Sequence, residues 1–428
     1  MNISLKKPLL NMVLLSLVTL SAYTYAGEAQ SYLQVDGRWL VDNNGHKVVL
    51  RGFGLGGWML PEGYMLEFPN PYSSPTKIRE AVVDLTGEKA ATKFFELYES
   101  NYVTQQDLAK VKSWGFNSIR IAFNANRILP PAKQKDPEQL VFDESGMALL
   151  DKAVRWSAQQ ELYVILDMHG APGGQSSHNI ADAVDGALLW EKPEIYQPRT
   201  IALWQALAKR YNENPWVIGY DLINEPILPG TEELGWEKLE QHNNQPLRDL
   251  YGRLTQAIRE IDQGKKILFI EGGFWAQQFK DLTPPWDDNM VYTFHAYPAP
   301  SKVEQLPKYV KELHAAGYPI WFGEGGENYS KLKWQEWLEH NRAFTSMLEK
   351  ETVGWSWWTT KKFSRTTQPW QCFLPEKFSL IRNYLAGHGP KPSQAEAQKI
   401  LFAYVKNLQT KRCEFIPEML QSIGGKLK

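Results

Sequence analysis

Trp216-Val217-Ile218-Gly219-Tyr220-Asp221-Leu222-Ile223-Asn224-Glu225-Pro226 is a mostly apolar run that stops at an amide, a carboxylate and a proline. The run from Trp216 to Ile223 has the length of a buried strand. Pro226 ends it, because proline has no N–H to offer a ladder. Asn224 and Glu225 therefore stand at the C-terminal lip of a strand, as polar groups that a sheet does not require. In a barrel of parallel strands that lip is where reacting groups are found.

Working outward from this run, apolar stretches alternate with helical patterns. Strands are expected at Val49–Gly54, Ser118–Phe123, Tyr163–Met168, Val217–Asn224, Ile267–Glu271, Val291–His295, Ile320–Glu324 and Val353–Trp358. Amphipathic stretches lie between them, among them Thr104–Trp114, Met147–Gln160, Thr200–Tyr211, Leu247–Ile261, Val303–Ala316 and Lys331–Leu348. Eight strands alternating with helices predict an α/β fold, a (β/α)8 TIM barrel. An open doubly wound sheet is the alternative, and the lack of G-x-G-x-x-G after an early strand weakens it. Arg38–Val41, the turn Asp42-Asn43-Asn44-Gly45 and Lys47–Leu50 predict an N-terminal hairpin that caps the barrel bottom. Long top-face loops are expected at Leu60–Tyr102 and Gly170–Pro198. The tail from Gly387, with a helix over Gln394–Thr410, is expected to pack on the outside of the barrel as part of one domain, 27–428.

The chain has 428 residues, 43% hydrophobic and 22% charged, with a formal charge of −1. That balance gives no footing for nucleic acid or an anionic membrane surface. Seventeen Trp, 19 Tyr and 18 Phe suit a cleft that stacks on sugar rings, whose C–H faces are apolar. Residues 1–26 read as a secretory signal peptide: Lys6 and Lys7, the apolar stretch Leu9–Leu20, and a small-x-small site ending at Ala26. Export to the periplasm or the medium follows, with no membrane attachment after cleavage. The two cysteines, Cys372 and Cys413, allow one disulfide or two free thiols.

The strand ends carry an unusual polar set. Arg120 lies in the second strand. The third ends Asp167-Met168-His169-Gly170, the fourth Asn224-Glu225-Pro226, the fifth Glu271-Gly272-Gly273. The sixth ends His295-Ala296-Tyr297, the seventh Gly323-Glu324-Gly325-Gly326, the eighth Trp357-Trp358. Burying each of these groups costs desolvation, so folding alone does not explain their convergence. Glycoside hydrolysis does, since it needs two carboxyls, one protonated and one ionised. Glu271 and Glu327 are rival carboxylates near the same lip.

Ile119-Arg120, Asp167–Gly170, Asn224-Glu225-Pro226, His295-Ala296-Tyr297, Gly323-Glu324 and Gly354-Trp355-x-x-Trp358 resemble glycoside hydrolase family 5, the cellulase family of clan A. The resemblance runs from about Leu33 to about Lys361. Arg51–Trp58, Gly115–Ile121 and His169–Gly173 are most similar to its exo-β-1,3-glucanase branch. Departures from that branch are Ala122, Leu60-Pro61 before Glu62, and Thr359-Thr360-Lys361-Lys362 after Trp358. The resemblance implies Glu225 as general acid/base and Glu324 as nucleophile. It implies that Asn224 bonds the sugar 2-hydroxyl, that Arg120 and Tyr297 orient Glu324, and that His169 and His295 line the reacting subsite. Trp358 would be the stacking floor and Glu62 a hydroxyl-binding group at the non-reducing end.

The expected function is a secreted, monomeric, retaining β-glycosidase acting on a β-glucan or its oligosaccharides. Mannan or xylan remain open as substrates, and a non-catalytic carbohydrate-binding protein is the alternative on the same fold. The long loops favour attack at a chain end. No cofactor or metal is expected, since neither H-E-x-x-H nor a close H-x-H pair occurs, and no G-x-S-x-G elbow marks a serine hydrolase. Mass spectrometry of the exported protein should show Gly27 as the first residue; a retained Met1 would mean a signal anchor instead.

Overall fold

The structure, a computed structural model, describes residues 32–135, 140–297, 304–326, 332–363 and 368–427. The export signal and Glu327 fall outside these residues. Eight parallel strands close into a barrel. They are β1 (Arg51–Gly54), β2 (Ser118–Asn124), β3 (Tyr163–Gly170), β4 (Val217–Asp221), β5 (Ile267–Glu271), β6 (Met290–His295), β7 (Ile320–Glu324) and β8 (Gly354–Trp358). β8 pairs with β1, Trp355 opposite Arg51 and Trp358 opposite Gly54, so the sheet has no free edge. The strands read as apolar runs because both their faces are covered. β4 stops at Asp221, earlier than the apolar pattern suggested, which leaves Asn224 and Glu225 on the loop above it.

The barrel bottom is filled by Leu33, Leu50, Ile165, Ile218, Ile267, Phe269, Val291 and Trp321, with Val35, Leu40 and Val48 packed beneath. The hairpin that supplies these side chains is built differently from expectation. Gln34–Asp36 pairs with Trp39–Val41 around Gly37-Arg38, while the Asp42–Gly45 turn closes only the single bridge from Val41 to Lys47. Gly37 takes φ +58°, as a two-residue hairpin loop with glycine first requires.

The segment after β1 is helical. Helix α1 (Pro75–Thr86) starts at Ser74, whose side chain accepts from the Lys77 N–H, with Pro75 at the first helical position. Gly87, at φ +78°, breaks it from α2 (Glu88–Tyr102). The C-terminal helices α3 (Phe378–Leu385) and α4 (Gln394–Asn407) pack on this pair and on the loop before it, so the tail covers the insertion more than the barrel wall. Tyr404 of α4 packs between Phe68, Phe94, Phe363 and Phe378, and its hydroxyl donates to the Leu66 carbonyl at 2.8 Å. A second small sheet joins Lys361–Lys362, Trp370–Gln371 and Glu414–Phe415. Cys372 and Cys413, next to two of those strands, form a disulfide. Among the described residues, no helix is long and apolar enough to cross a membrane.

The disulfide spans 41 residues of sequence, which in the chain-entropy model corresponds to about 4 kcal/mol. Cys372→Ser/Cys413→Ser should lose a stability of that order in urea titration, and the unreduced wild type should show no reactive thiol on denaturation.

Candidate active site

Arg120 is wholly buried, and its register on β2, opposite Gly54 and Ile165, turns it into the barrel. Its Nε donates to Asp221 at 2.9 Å, Nη1 to Glu324 at 3.0 Å, and Nη2 to Glu271 at 2.9 Å and Asn224 at 2.7 Å. Asp167 lies 3.1 Å from Nη1. One guanidinium thus touches carboxylates from four other strands. Four negative charges around one cation, out of water, cannot all be ionised at low cost. Burial and the charge of Glu271 push Asp221 well above the usual carboxylate range. Glu271 goes the other way: against its burial, His295 and Arg120 hold it below that range.

Glu324 ends β7 with both oxygens engaged. Oε2 accepts from Arg120, and Oε1 accepts from the Tyr297 hydroxyl at 2.9 Å. The two donors fix the carboxylate at the lip of β7. Gly323 and Gly325 permit this approach, since a Cβ at either would collide, with Thr293 and with the Ala296 carbonyl respectively.

Glu225 sits at φ +41°, an uncommon conformation for a residue with a side chain. Its N–H donates to Glu271 Oε2 at 2.6 Å, which fixes that turn. Its Oε1 lies 2.8 Å from His295 Nδ1. Burial raises the Glu225 carboxyl, and the charge of Glu324 adds to this, while His295 opposes both. The imidazole of His295 is itself bracketed, with Nε2 at 3.2 Å from Glu271.

Asn224 presents its carbonyl oxygen to Arg120, while its buried Nδ2 has no partner. A buried donor without an acceptor is a place for a ligand oxygen. His169 Nδ1 lies 2.8 Å from Asp167, which together with nearby acids raises the imidazole to about 9 against the lowering effect of burial. His169 stacks on Trp358 at 5.0 Å and 8°. The Trp358 ring rests on Gly54 and Gly56, where any Cβ would strike it, and its Nε1 donates to Tyr64 at 2.6 Å. Glu62 is buried beside this group. Its Oε1 is 3.5 Å from Asn179 Nδ2, its Oε2 has no partner, and burial pushes the carboxyl up to about 8.

All nine residues singled out in the sequence therefore gather at one mouth. The sequence reading had not identified the holding roles of Asp167, Asp221, Glu271 and Gln175. Gln175 is buried, donates to the carbonyls of His169 and Asn224 at 2.8 Å each, and so ties the β3 and β4 lips together. Of the rival carboxylates, Glu271 has both oxygens turned to protein donors. Glu225, His295 and Glu324 each place one nitrogen or oxygen within 4.8 Å of the others, the spacing of a metal triad. The donors do not fit a cation well: Arg120 already sits on Glu324, and His295 is held protonated, well above its ordinary value against its burial, by Glu271 and Glu324.

Residues 83–364 match the model of the cellulase family, glycosyl hydrolase family 5. The chain belongs to this family. The family-5 chain is 31% identical over 361 residues to a β-xylosidase of Phanerodontia chrysosporium, covering 77% of this chain and 71% of the relative. It is 26% identical to a probable glucan 1,3-beta-glucosidase A of Aspergillus fumigatus, over 59% of this chain and 56% of that one. The chain thus spans little more than half of that glucosidase. Among solved structures, AoRut superposes with a TM-score of 0.56 at 18% identity, over 73% of this chain and 89% of its own. The β-glucanase SdGluc5_26A of Saccharophagus degradans does so with 0.52 at 18%, over 84% and 94%. These two likenesses show the shared barrel.

Arg120→Met should strand the buried carboxylates and cost about 3–5 kcal/mol near neutral pH. Without the cation, their folded pKa values rise above the unfolded ones. The folded variant then binds more protons than the unfolded chain, and its stability falls as pH rises. Urea titrations should show a smaller gap from wild type at pH 5 than at pH 8.

Proposed function

We propose that the protein is an exported retaining β-glycosidase that acts on a β-glucan or its oligosaccharides, with Glu324 as nucleophile and Glu225 as general acid/base. The observation that carries this reading is the closeness of the two carboxylates, which have an oxygen each within 4.8 Å. Retention needs carboxyls about 5–5.5 Å apart, whereas inversion needs room for a water between them.

In the first step Glu324, oriented by the hydrogen bonds of Arg120 and Tyr297, attacks the anomeric carbon. Glu225 gives its proton to the leaving oxygen. Asn224 Nδ2 donates to the sugar 2-hydroxyl, and Trp358 supports the ring face. Forming the ester removes the charge of Glu324, one of the causes that raise Glu225. The Glu225 carboxyl then drops, so that after giving up its proton it stays ionised and can take one from the attacking water in the second step. The net result is hydrolysis with the anomeric configuration kept. Glu62, Tyr64 and Trp358 crowd the β1/β8 side of the mouth, which supports attack from a chain end.

Glu324→Ala should lose several orders of magnitude in kcat, and azide should restore turnover of an activated β-glycoside with an α-glycosyl azide as product. Glu225→Ala should be hurt least with good leaving groups. The alkaline limb of kcat/KM should lie above the ordinary carboxylate range and vanish in that variant, since only protonated Glu225 is active and rising pH removes its proton. A wild-type product of inverted configuration, read by proton NMR, would contradict the assignment.

A further inference from the structure

A groove of ≈ 510 Å³ opens beside the mouth of the barrel. That is within the range of small-molecule sites, about 300–1,000 Å³. Its walls are the segments after β4 and β5 and the helix Lys308–Ala315 after β6. Among the described residues, its lining shares no member with the site around Glu225 and Glu324. In the closed strand order β4 and β5 stand across from β8 and β1, so the groove lies away from Glu62 and Trp358.

Trp236 is 39% exposed on this groove, yet its ring is held in place. Its Nε1 donates to Glu240 at 2.8 Å, and Lys308 Nζ reaches the same carboxylate oxygen at 3.0 Å. The Tyr309 ring stands 6.1 Å from the indole at 54°. The turn that carries the indole, Trp236–Leu239, is tied to the segment after β5 by Gln278, whose Nε2 donates to the Leu239 carbonyl at 2.8 Å. An indole face left in water forgoes the gain that burial would bring to folding. Locking its edge instead prepares a flat apolar surface at little ordering cost to a ligand.

The charges of the lining say which ligand suits it. Among the described residues, Glu240 and Glu312 face Lys280 and Lys308, so the signs balance, and Glu240 and Lys308 pair directly. A balanced lining has no pull on nucleic acid or on a strongly charged peptide. Aromatic faces set among hydrogen-bonding groups do fit a sugar chain, apolar on its C–H faces and polar at its edges. Tyr309 links the groove to the reacting site, since its hydroxyl donates to the His295 carbonyl at 2.9 Å. A glucan held by its end at the β1/β8 side would emerge toward this groove.

We infer that this groove is a second carbohydrate-binding site, which holds a distant stretch of an uncharged β-glucan chain with Trp236 as its stacking platform. The choice of ligand rests on the glycosidase reading above. The site raises the enzyme's hold on polymer without taking part in bond cleavage.

The test uses the full mature chain with two soluble β-glucans, laminarin and barley β-glucan, and with p-nitrophenyl β-D-glucoside, which is too small to reach the groove from the mouth. Binding is read as retardation in native gels containing each glucan, run in a Glu324→Ala background so that the polymer stays intact. Trp236→Ala should weaken retardation by at least one β-glucan about three- to tenfold, the worth of one stacking contact, and raise KM on that polymer by a similar factor. Its kcat/KM on the small glucoside should stay within about twofold of wild type. Trp236→Tyr, which keeps a flat face, should recover most of the binding. Unchanged retardation in Trp236→Ala, a parallel fall on the small glucoside, or equal retardation by the α-linked control dextran overturns the proposal. If Trp236→Ala melts early, Ala316→Arg fills the groove from the opposite wall and carries the same comparison. A wild type that turns over no β-glycoside, yet is retarded by β-glucan through Trp236, would remove the glycosidase reading and leave the groove assignment standing.

Discussion

The rest of the site depends on a single cation inside the barrel. Arg120 meets Asp167, Asp221, Glu271 and Glu324 within about hydrogen-bonding distance, all of them buried. In a medium poorer in water, Coulomb forces at such distances outweigh those at the surface several-fold. The protons in this cluster are therefore shared out collectively: Asp221 is pushed toward its neutral form, while Glu271 is held ionised. Glu324 accepts hydrogen bonds from the same cation and from Tyr297. Glu225 stands one step away, separated from Arg120 by Glu271 and His295, and so is free to rise. The different surroundings of the two glutamates come from where one arginine is placed.

That placement demands a closed sheet. The partners of Arg120 come from β3, β4, β5 and β7, and only a barrel brings those strands to a common centre. The β3 and β4 lips are further tied by Gln175, and the β4 and β5 lips by the Glu225 N–H on Glu271. Beyond the barrel, the tail supplies a small sheet directly after β8, joining Lys361–Lys362, Trp370–Gln371 and Glu414–Phe415 and stapled by the Cys372–Cys413 disulfide.

The barrel was readable in the sequence because its strands are buried on both faces and so appear as unbroken apolar runs of the right length. Glu225 and Glu324 stood out for the complementary reason, as acids where such runs end. The same reasoning named His169, His295 and Trp358. It did not reveal what Asp167, Asp221 and Glu271 hold, since their shared partner depends on strand register across the barrel. Gln175 carries no pattern at all: a buried amide bridging two carbonyls looks like any loop glutamine. Other misses were local. The two-residue loop of the hairpin is Gly37-Arg38, with glycine leading, and not the Asp42–Gly45 turn that the sequence pattern favours. The segment Leu60–Tyr102 is helical and not the expected loop, and Ser74-Pro75 and Gly87 mark the start and break of its helices.

The account turns on Glu324 being the residue that bonds to the sugar. The most direct measurement is to trap that bond with a 2-deoxy-2-fluoro-β-glycoside bearing a good leaving group, then digest and map the label by mass spectrometry. The fluorine destabilises both oxocarbenium-like transition states, and the good leaving group offsets this in the first step alone, so the ester forms faster than water breaks it and accumulates. The account predicts one sugar per chain, on the peptide containing Glu324, with Arg120→Met labelling far more slowly. A label on Glu225 or Glu271, or inactivation with no covalent adduct, would contradict it.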